Sequence, residues 1–332
     1  MDKFERQELK NHAKRVMEKG SYSPGKLMLV HTAVGSGLAL LLALVSFLLD
    51  QKIAGTSGLG GVGSRAVLQT IQSMLNVAQM VVLVFWSVGL ISSFIQINRG
   101  QGAEPRDLLA GFRNFGPVLR GKLLHALILA GALVLGAYLG VFIYTLFPMS
   151  NGMMEAMEPY YVDGVVDYAL LLEDPAFVSA ALWALPFMLG CMLVFALPLF
   201  YRLRLMDYIL MDRPEKGALY AMRGSKYLMR GKRWDLFKLD LSFWWFYLLE
   251  LLVMLLCYGD IVLQFANVDL GVNQTVAFFV FYVLALVAQL GLYVWKKPLL
   301  MTTYAAFYDA AWPQKQEEET SQEYVEAPEE LE

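Results

Sequence analysis

Glu250 is the residue around which chemistry would be built, because it is the acid set deepest in any apolar run, the one from Leu241 to Val262. Counted from Leu241, nine residues at about 1.5 Å each place this carboxyl roughly 13 Å along a helix, near the middle of a bilayer. An acid at that depth costs about 2.5 kcal/mol or more on insertion and marks a functional site by default. Gln289 shares its depth on the following apolar run, and no Lys or Arg does. Two readings stand: a protonated Glu250 hydrogen-bonded to Gln289, or a carboxyl that carries a proton or binds a solute. Asn76, Gln79 and Gln96 on another apolar run allow the same pair, interhelical hydrogen bonds or the polar side of a solute path.

Other chemistries find less support. Gly55-Thr-Ser-Gly58 has the short form of an intramembrane serine-protease string, but it falls in a glycine-rich loop, and neither His31 nor His125 is placed as its base. Tyr258-Gly-Asp260 is half of an aspartyl-protease motif without its partner aspartate. The three histidines, His12, His31 and His125, are scattered, and neither H-x-x-x-H nor C-x-x-C occurs, so no metal site and no cofactor are expected. One loop combines Met149, Met153, Met154 and Met157 with Glu155, Glu158, Asp163 and Asp167. Thioethers would suit Cu(I) and carboxylates a hard cation, but Met153 and Met157, one turn apart, read first as the buried side of a short amphipathic cap. Asn273-Gln-Thr275 is a glycosylation string that matters only in a eukaryotic host. Cys191 and Cys257 lie in apolar runs and read as buried thiols.

The elements that must position these residues are membrane helices. The 332 residues are 57% hydrophobic and 17% charged, with mean hydropathy +0.48, which argues against a soluble enzyme and against disorder. Six apolar stretches reach the length a bilayer requires, near 27–49, 75–97, 123–147, 177–201, 241–262 and 276–295. The first has no small-residue cleavage site and reads as a retained anchor. The reading is therefore an all-α, six-span membrane domain over 27–312, preceded by a basic segment, 1–26, and followed by an acidic tail, 313–332, too poor in apolar groups to fold.

Charge sets the orientation. Of 27 Lys and Arg residues, all but Lys52 and Arg65 fall before the first span, in alternate loops, or after the last span. Positive charge is retained on the cytoplasmic side, so both termini are expected inside, in a bacterial plasma membrane. Phe243, Trp244, Trp245, Phe246 and Tyr247 read as an interfacial belt opening the fifth span. Ala132, Gly136 and Gly140 form a small-residue stripe where another helix can approach. Pro186 and Pro198 should kink or end the fourth span.

The loop after that span reads as a basic amphipathic helix, opened by Asp212 and Pro214, with Leu219, Met222 and Met229 on one side. Arg223, Lys226, Arg230, Lys232 and Arg233 would then face anionic lipid head groups or a protein partner, or serve topology alone. Nucleic acid is not an expected partner. A faint parallel repeat relates Leu119-Arg-Gly-Lys122 to Met229-Arg-Gly-Lys232.

The string Ser225-Lys-Tyr-Leu-Met-Arg-Gly-Lys-Arg-Trp-Asp-Leu-Phe-Lys-Leu-Asp-Leu-Ser-Phe243 resembles the S-x-x-L-M-x-G-x-K/R-x-x-L-F-x-L-x-L-S-F signature of a numbered domain-of-unknown-function family of bacterial integral membrane proteins. Glu8-Leu-Lys-Asn-His-Ala-Lys14, Tyr208-Ile-Leu-Met-Asp-Arg-Pro214 and Thr303-Tyr-Ala-Ala-Phe-Tyr308 are similar to the same family. The chain also bears a distant likeness to the membrane domain of glycerophosphodiester phosphodiesterases, without their catalytic domain. The resemblance implies a polytopic membrane fold and brings no catalytic residues. Together these features suggest a non-enzymatic scaffold or accessory protein that engages lipid or a partner through its basic loop; the alternative is a small-solute or lipid transporter that uses Glu250.

Overall fold

The structure is a computed structural model that describes residues 3–19, 23–55, 61–148, 150–162, 165, 166, 171, 174–259, 261 and 274–312. It is a helical protein: α1 (Lys3–Lys19), α2 (Pro24–Gly55), α3 (Gly61–Asn98), α4 (Ala110–Arg113), α5 (Phe115–Thr145), α6 (Ser150–Met157), α7 (Pro175–Leu203), α8 (Met206–Asp212), α9 (Gly217–Leu228), α10 (Arg233–Leu241), α11 (Trp244–Cys257), α12 (Gln274–Trp295) and α13 (Lys297–Ala311). A two-residue antiparallel ladder pairs Tyr161 with Val166 and Val162 with Val165. The acidic tail, Ser57, Asp260 and Asn273 lie outside the described residues.

Five helical stretches are each long and apolar enough to cross a membrane: Pro24–Leu49, Arg65–Asn98, Phe115–Thr145, Pro175–Asp212 and Val276–Trp295. A sixth arises only if α10 and α11, bent by 60°, count as one span. The expected straight helix from 241 is therefore corrected, since the chain breaks at Ser242 and Phe243. Ser242 Oγ turns back to the Leu239 carbonyl at 2.6 Å, and Phe243 is buried beneath the Lys10 ammonium, 4.1 Å from its ring centre. The aromatic belt is divided accordingly: Phe243 and Phe246 are core residues, whereas Trp244 is exposed.

α7 opens on a cap in which Asp174 accepts from the Ala176 amide at 2.8 Å, with Pro175 in the first turn. It then runs through Pro186 and Pro198 to Leu203, so neither proline ends it. α5 and α7 lie in close contact: a Cβ on Gly136 would stand 2.7 Å from Met192 Cα, and one on Gly140 2.4 Å from Met188 Cα. Ala132 is buried on the same helix, and Tyr144 donates to the Ala180 carbonyl at 2.9 Å. α2, α3, α11 and α12 form a second group, with α12 touching both α2 and α11.

A layer of shorter helices joins the two groups. α8 buries Met206, Tyr208, Ile209, Leu210 and Met211, and α13 buries Tyr304, Ala305, Ala306, Phe307 and Tyr308. Two glycines make the layer possible beside α3: a Cβ on Gly89 would lie 1.8 Å from the Leu108 carbonyl oxygen, and one on Gly111 2.1 Å from that of Phe85. α9 is amphipathic, but its buried face is Ala218, Ala221, Gly224, Ser225 and Leu228. Of the expected apolar side, Met229 is fully buried and Met222 packs against the core, whereas Leu219 points outward and is corrected. The reason is close packing: Gly224 faces Ile209, whose Cδ1 would sit 3.1 Å from an added Cβ, and only a small-residue face fits there. Asp212 does not cap this helix; it ends α8 and binds Arg99 and Tyr308.

Candidate functional site

Glu250 is held from α12. Tyr293 donates its hydroxyl to Glu250 Oε1 at 2.6 Å, and Gln289 stands one turn earlier on the same helix. Because α11 begins at Trp244, Glu250 lies only about 9 Å along it, not the 13 Å expected from the sequence. That places it nearer a cation than expected. Lys297, first residue of α13, rests its ammonium 3.5 Å from the Tyr293 ring centre and feels the Glu250 charge. Burial draws the Lys297 pKa down to about 8, and the Glu250 carboxylate partly opposes this.

Glu250, Gln289 and Tyr293 line a cavity of about 690 Å³ between α2, α3, α11 and α12. Thr32, Gly35, Ser36 and Ala39 face it from α2 and Leu83 from α3. Tyr247, Leu251, Met254, Cys257 and Tyr258 line it from α11, and Tyr282, Ala285 and Leu286 from α12. Glu250 is the one carboxyl and Gln289 the one amide among the lining residues, the rest being apolar, aromatic, hydroxylic or, at Cys257, a thiol. Thr32 Oγ is buried and, among the described residues, has no hydrogen-bond partner. A volume of this size, apolar walls and few polar groups are the usual make-up of a small-molecule site.

The polar residues of α3 are not brought to this cavity. Asn76 and Gln79 line a separate shallow groove of about 430 Å³ with Met80, Val84 and Ser87, and Leu83 alone borders both. Gln96 is half-buried at the far end of α3, where its carbonyl accepts from the Gln101 amide at 3.0 Å.

A hydrogen-bonded group continues from the cavity into the layer of short helices. The Tyr247 and Tyr304 hydroxyls meet at 2.8 Å; Tyr304 also donates to Asp240, which accepts from Tyr201 at 2.7 Å. Arg204 lies over the Phe200 and Tyr304 rings, 5.1 and 5.2 Å from their centres. Burial together with Asp240 pushes the Tyr304 hydroxyl well above the usual phenol range. Beside it, Arg99 spans two carboxylates, donating to Asp212 at 2.5 Å and to Asp309 at 2.8 Å, while Tyr308 donates to Asp212 at 2.8 Å. The Asp212 hydrogen bond holds Arg99 even more firmly charged than usual. None of Tyr293, Lys297, Asp240 or Arg99 stood out in the sequence as a site residue. Tyr293, one turn after Gln289, was the readable signal.

Of the basic residues from α9 to the start of α10, Arg223, Arg230 and Arg233 are exposed and Lys226 is half-buried. Lys232 donates to the Ala311 carbonyl at 3.1 Å and so joins the helices together. Among the described residues no group of three or more His, Cys, Asp or Glu is placed to hold a metal ion. Met153 and Met157 are half-buried on α6, while Met154, Glu155 and Glu158 are exposed; Met149, Asp163 and Asp167 lie outside the described residues. Neither Cys191 nor Cys257 is in a disulfide among the described residues.

No curated protein and no solved structure matches the chain. One family profile does, across residues 1–314, including every helix described above. The chain therefore belongs to the family described as "Protein of unknown function (DUF975)".

Proposed function

We propose that this chain is a six-span protein of a bacterial plasma membrane, with both termini cytoplasmic, that binds a small amphipathic solute or lipid in the cavity ended by Glu250. Its role is non-enzymatic, as part of solute or lipid movement. The observation that carries the reading is the cavity itself, about 690 Å³ with one carboxyl bound by a tyrosine in mostly apolar and aromatic walls that also hold Gln289, Thr32 and Ser36. The bent pair α10 and α11 supplies the sixth span, and the one-sided Lys and Arg distribution supports the orientation.

The test is probe binding to the full chain in zwitterionic nanodiscs, with the neutral fluorescent amphiphile N-phenyl-1-naphthylamine. Saturable binding at one site per chain that is lost in Ala39→Trp, which fills the cavity from α2, is the expected result. Non-saturable partitioning, identical in both proteins, would overturn the reading.

A second reading rests on a different surface. Arg223, Arg230 and Arg233 are exposed near Leu219 (57% exposed), Tyr227 (49%) and Trp234 (63%). Basic residues alternating with exposed apolar ones suit an anionic leaflet, and a scaffold anchored there would engage lipid head groups or a protein partner.

A further inference from the structure

Accepting that the cavity is a solute site, the arrangement of its polar atoms narrows the solute. We infer that it takes a lipophilic ammonium, a protonated amine on an apolar or aromatic body. Glu250, Gln289, Tyr293 and Thr32 lie toward one end, with Ser36 and the Tyr258 and Tyr282 hydroxyls farther along. Thr32 lies about 12 Å along α2, Glu250 about 9 Å along α11, and Tyr293 about 3 Å from the end of α12. With both termini inside, α2 and α11 start from the same face and α12 ends there, so the three share one level of the membrane.

Gln289, also in the lining, is engaged with the Tyr293 hydroxyl, and two groups at that level have acceptor capacity to spare. Tyr293 supplies a single hydroxyl to Glu250, on Oε1, although a carboxylate accepts at about four lone-pair sites. Thr32 Oγ1 is buried and has no hydrogen-bond partner among the described residues. An ammonium N–H can serve both, and a buried acceptor with no donor is costly to leave unmet. The walls add tyrosine rings, Tyr258 from α11 and Tyr282 from α12, the latter stacked on Phe278 at 5.8 Å. Set roughly 12 Å along the helices from Glu250, these rings would receive the flat apolar body. Lys297 does not line the cavity; its ammonium rests against the Tyr293 ring and leaves the cavity without a built-in cation. An anionic solute would meet the Glu250 carboxyl in the lining, with Lys297 set behind the Tyr293 ring.

The test uses matched probes on the full chain in zwitterionic nanodiscs: dansylcadaverine, a fluorescent primary ammonium, its neutral N-acetyl derivative, and dansyl-6-aminohexanoate, an anion. The ammonium should bind saturably, roughly tenfold or more tighter than the neutral probe, and the anion should not bind, as expected for a desolvated charge pair. Glu250→Gln should bring the ammonium down to the neutral probe's affinity, and Thr32→Val should weaken it several-fold. The comparison among probes on the unaltered protein stands even if a variant fails to fold. Equal saturable binding of ammonium and neutral probes would overturn the ammonium assignment and leave the cavity reading intact. Saturable binding by none of the probes, N-phenyl-1-naphthylamine included, would overturn both.

Discussion

Tyr293 and Glu250 face each other across α12 and α11, the hydroxyl donating to the carboxyl at 2.6 Å, and Lys297 lies on the same tyrosine ring. One aromatic side chain thus links an acid in the cavity to a cation at the start of α13. Any change of charge at Glu250 is felt by Lys297, because the carboxyl is part of what sets the affinity of that amine for its proton.

That link predicts a pH profile. Lys297 has its pKa drawn from 10.5 down to about 8, by burial first, with Glu250 raising it in part. A lysine with a depressed native pKa binds fewer protons folded than unfolded, so the chain gains stability as pH rises from about 8 toward 10.5. Amine acetylation of Lys297, followed by mass spectrometry, should have its midpoint near pH 8, and Glu250→Gln should move that midpoint lower. A midpoint near 10 in both proteins would show that the amine is not buried as described.

Close helix approach predicts sharp glycine sensitivity. At Gly89 and Gly111 an added Cβ meets backbone carbonyls at 1.8 and 2.1 Å, and at Gly140 it meets the Met188 backbone at 2.4 Å. Backbone cannot swing aside as a side chain can, so Gly89→Ala and Gly111→Ala should each cost about 1–3 kcal/mol or more. Gly116→Ala, with open space at its Cβ, serves as control. Tryptophan fluorescence melting in detergent checks this; equal melting temperatures for Gly89→Ala and Gly116→Ala would refute the packing.

Arg99 joins α3 to α8 and α13 through Asp212 and Asp309. It is about one-third exposed, so solvent screening reduces what the pairs contribute. Arg99→Met is expected to lower stability by about 1–2 kcal/mol, and Arg99→Lys to recover little, because a single ammonium cannot reproduce a fork between two carboxylates. Full recovery by lysine, measured by the same melting assay, would mean that only charge matters there.

Much of the helical architecture was readable because hydrophobic length is a property of the sequence itself. The stretch 276–295 matches Val276–Trp295 and 123–147 lies close to Phe115–Thr145. What the sequence concealed depends on tertiary contacts. The break at Ser242 and Phe243 follows from burying Phe243 and anchoring Asp240, and no local breaker announces it. Glu250 was visible as a costly acid, but its partner was read as Gln289; the hydroxyl of Tyr293, one turn on, is the group that reaches Oε1. Asn76 and Gln79 lie in a groove apart from the Glu250 cavity, because polarity at helical spacing says nothing about which groove a helix turns toward.

The exposed arginines predict lipid dependence. Neutralising Arg223, Arg230 and Arg233 together should reduce retention of anionic lipid in native mass spectra, at about 1 kcal/mol per residue near a charged surface. Lys232→Gln should act differently, lowering stability through loss of its bond to the Ala311 carbonyl. Unchanged lipid retention in the triple variant would remove the basis for a leaflet-anchored scaffold.

Cys257 offers the most direct test of the Glu250 cavity as a solute site, because it lines the cavity and the chain's other cysteine, Cys191, does not. In Cys191→Ser protein, the rate of Cys257 modification by N-ethylmaleimide should fall roughly tenfold when dansylcadaverine saturates the site and covers the thiol. Identical rates with and without the amine, at concentrations where binding is saturated, would contradict the account.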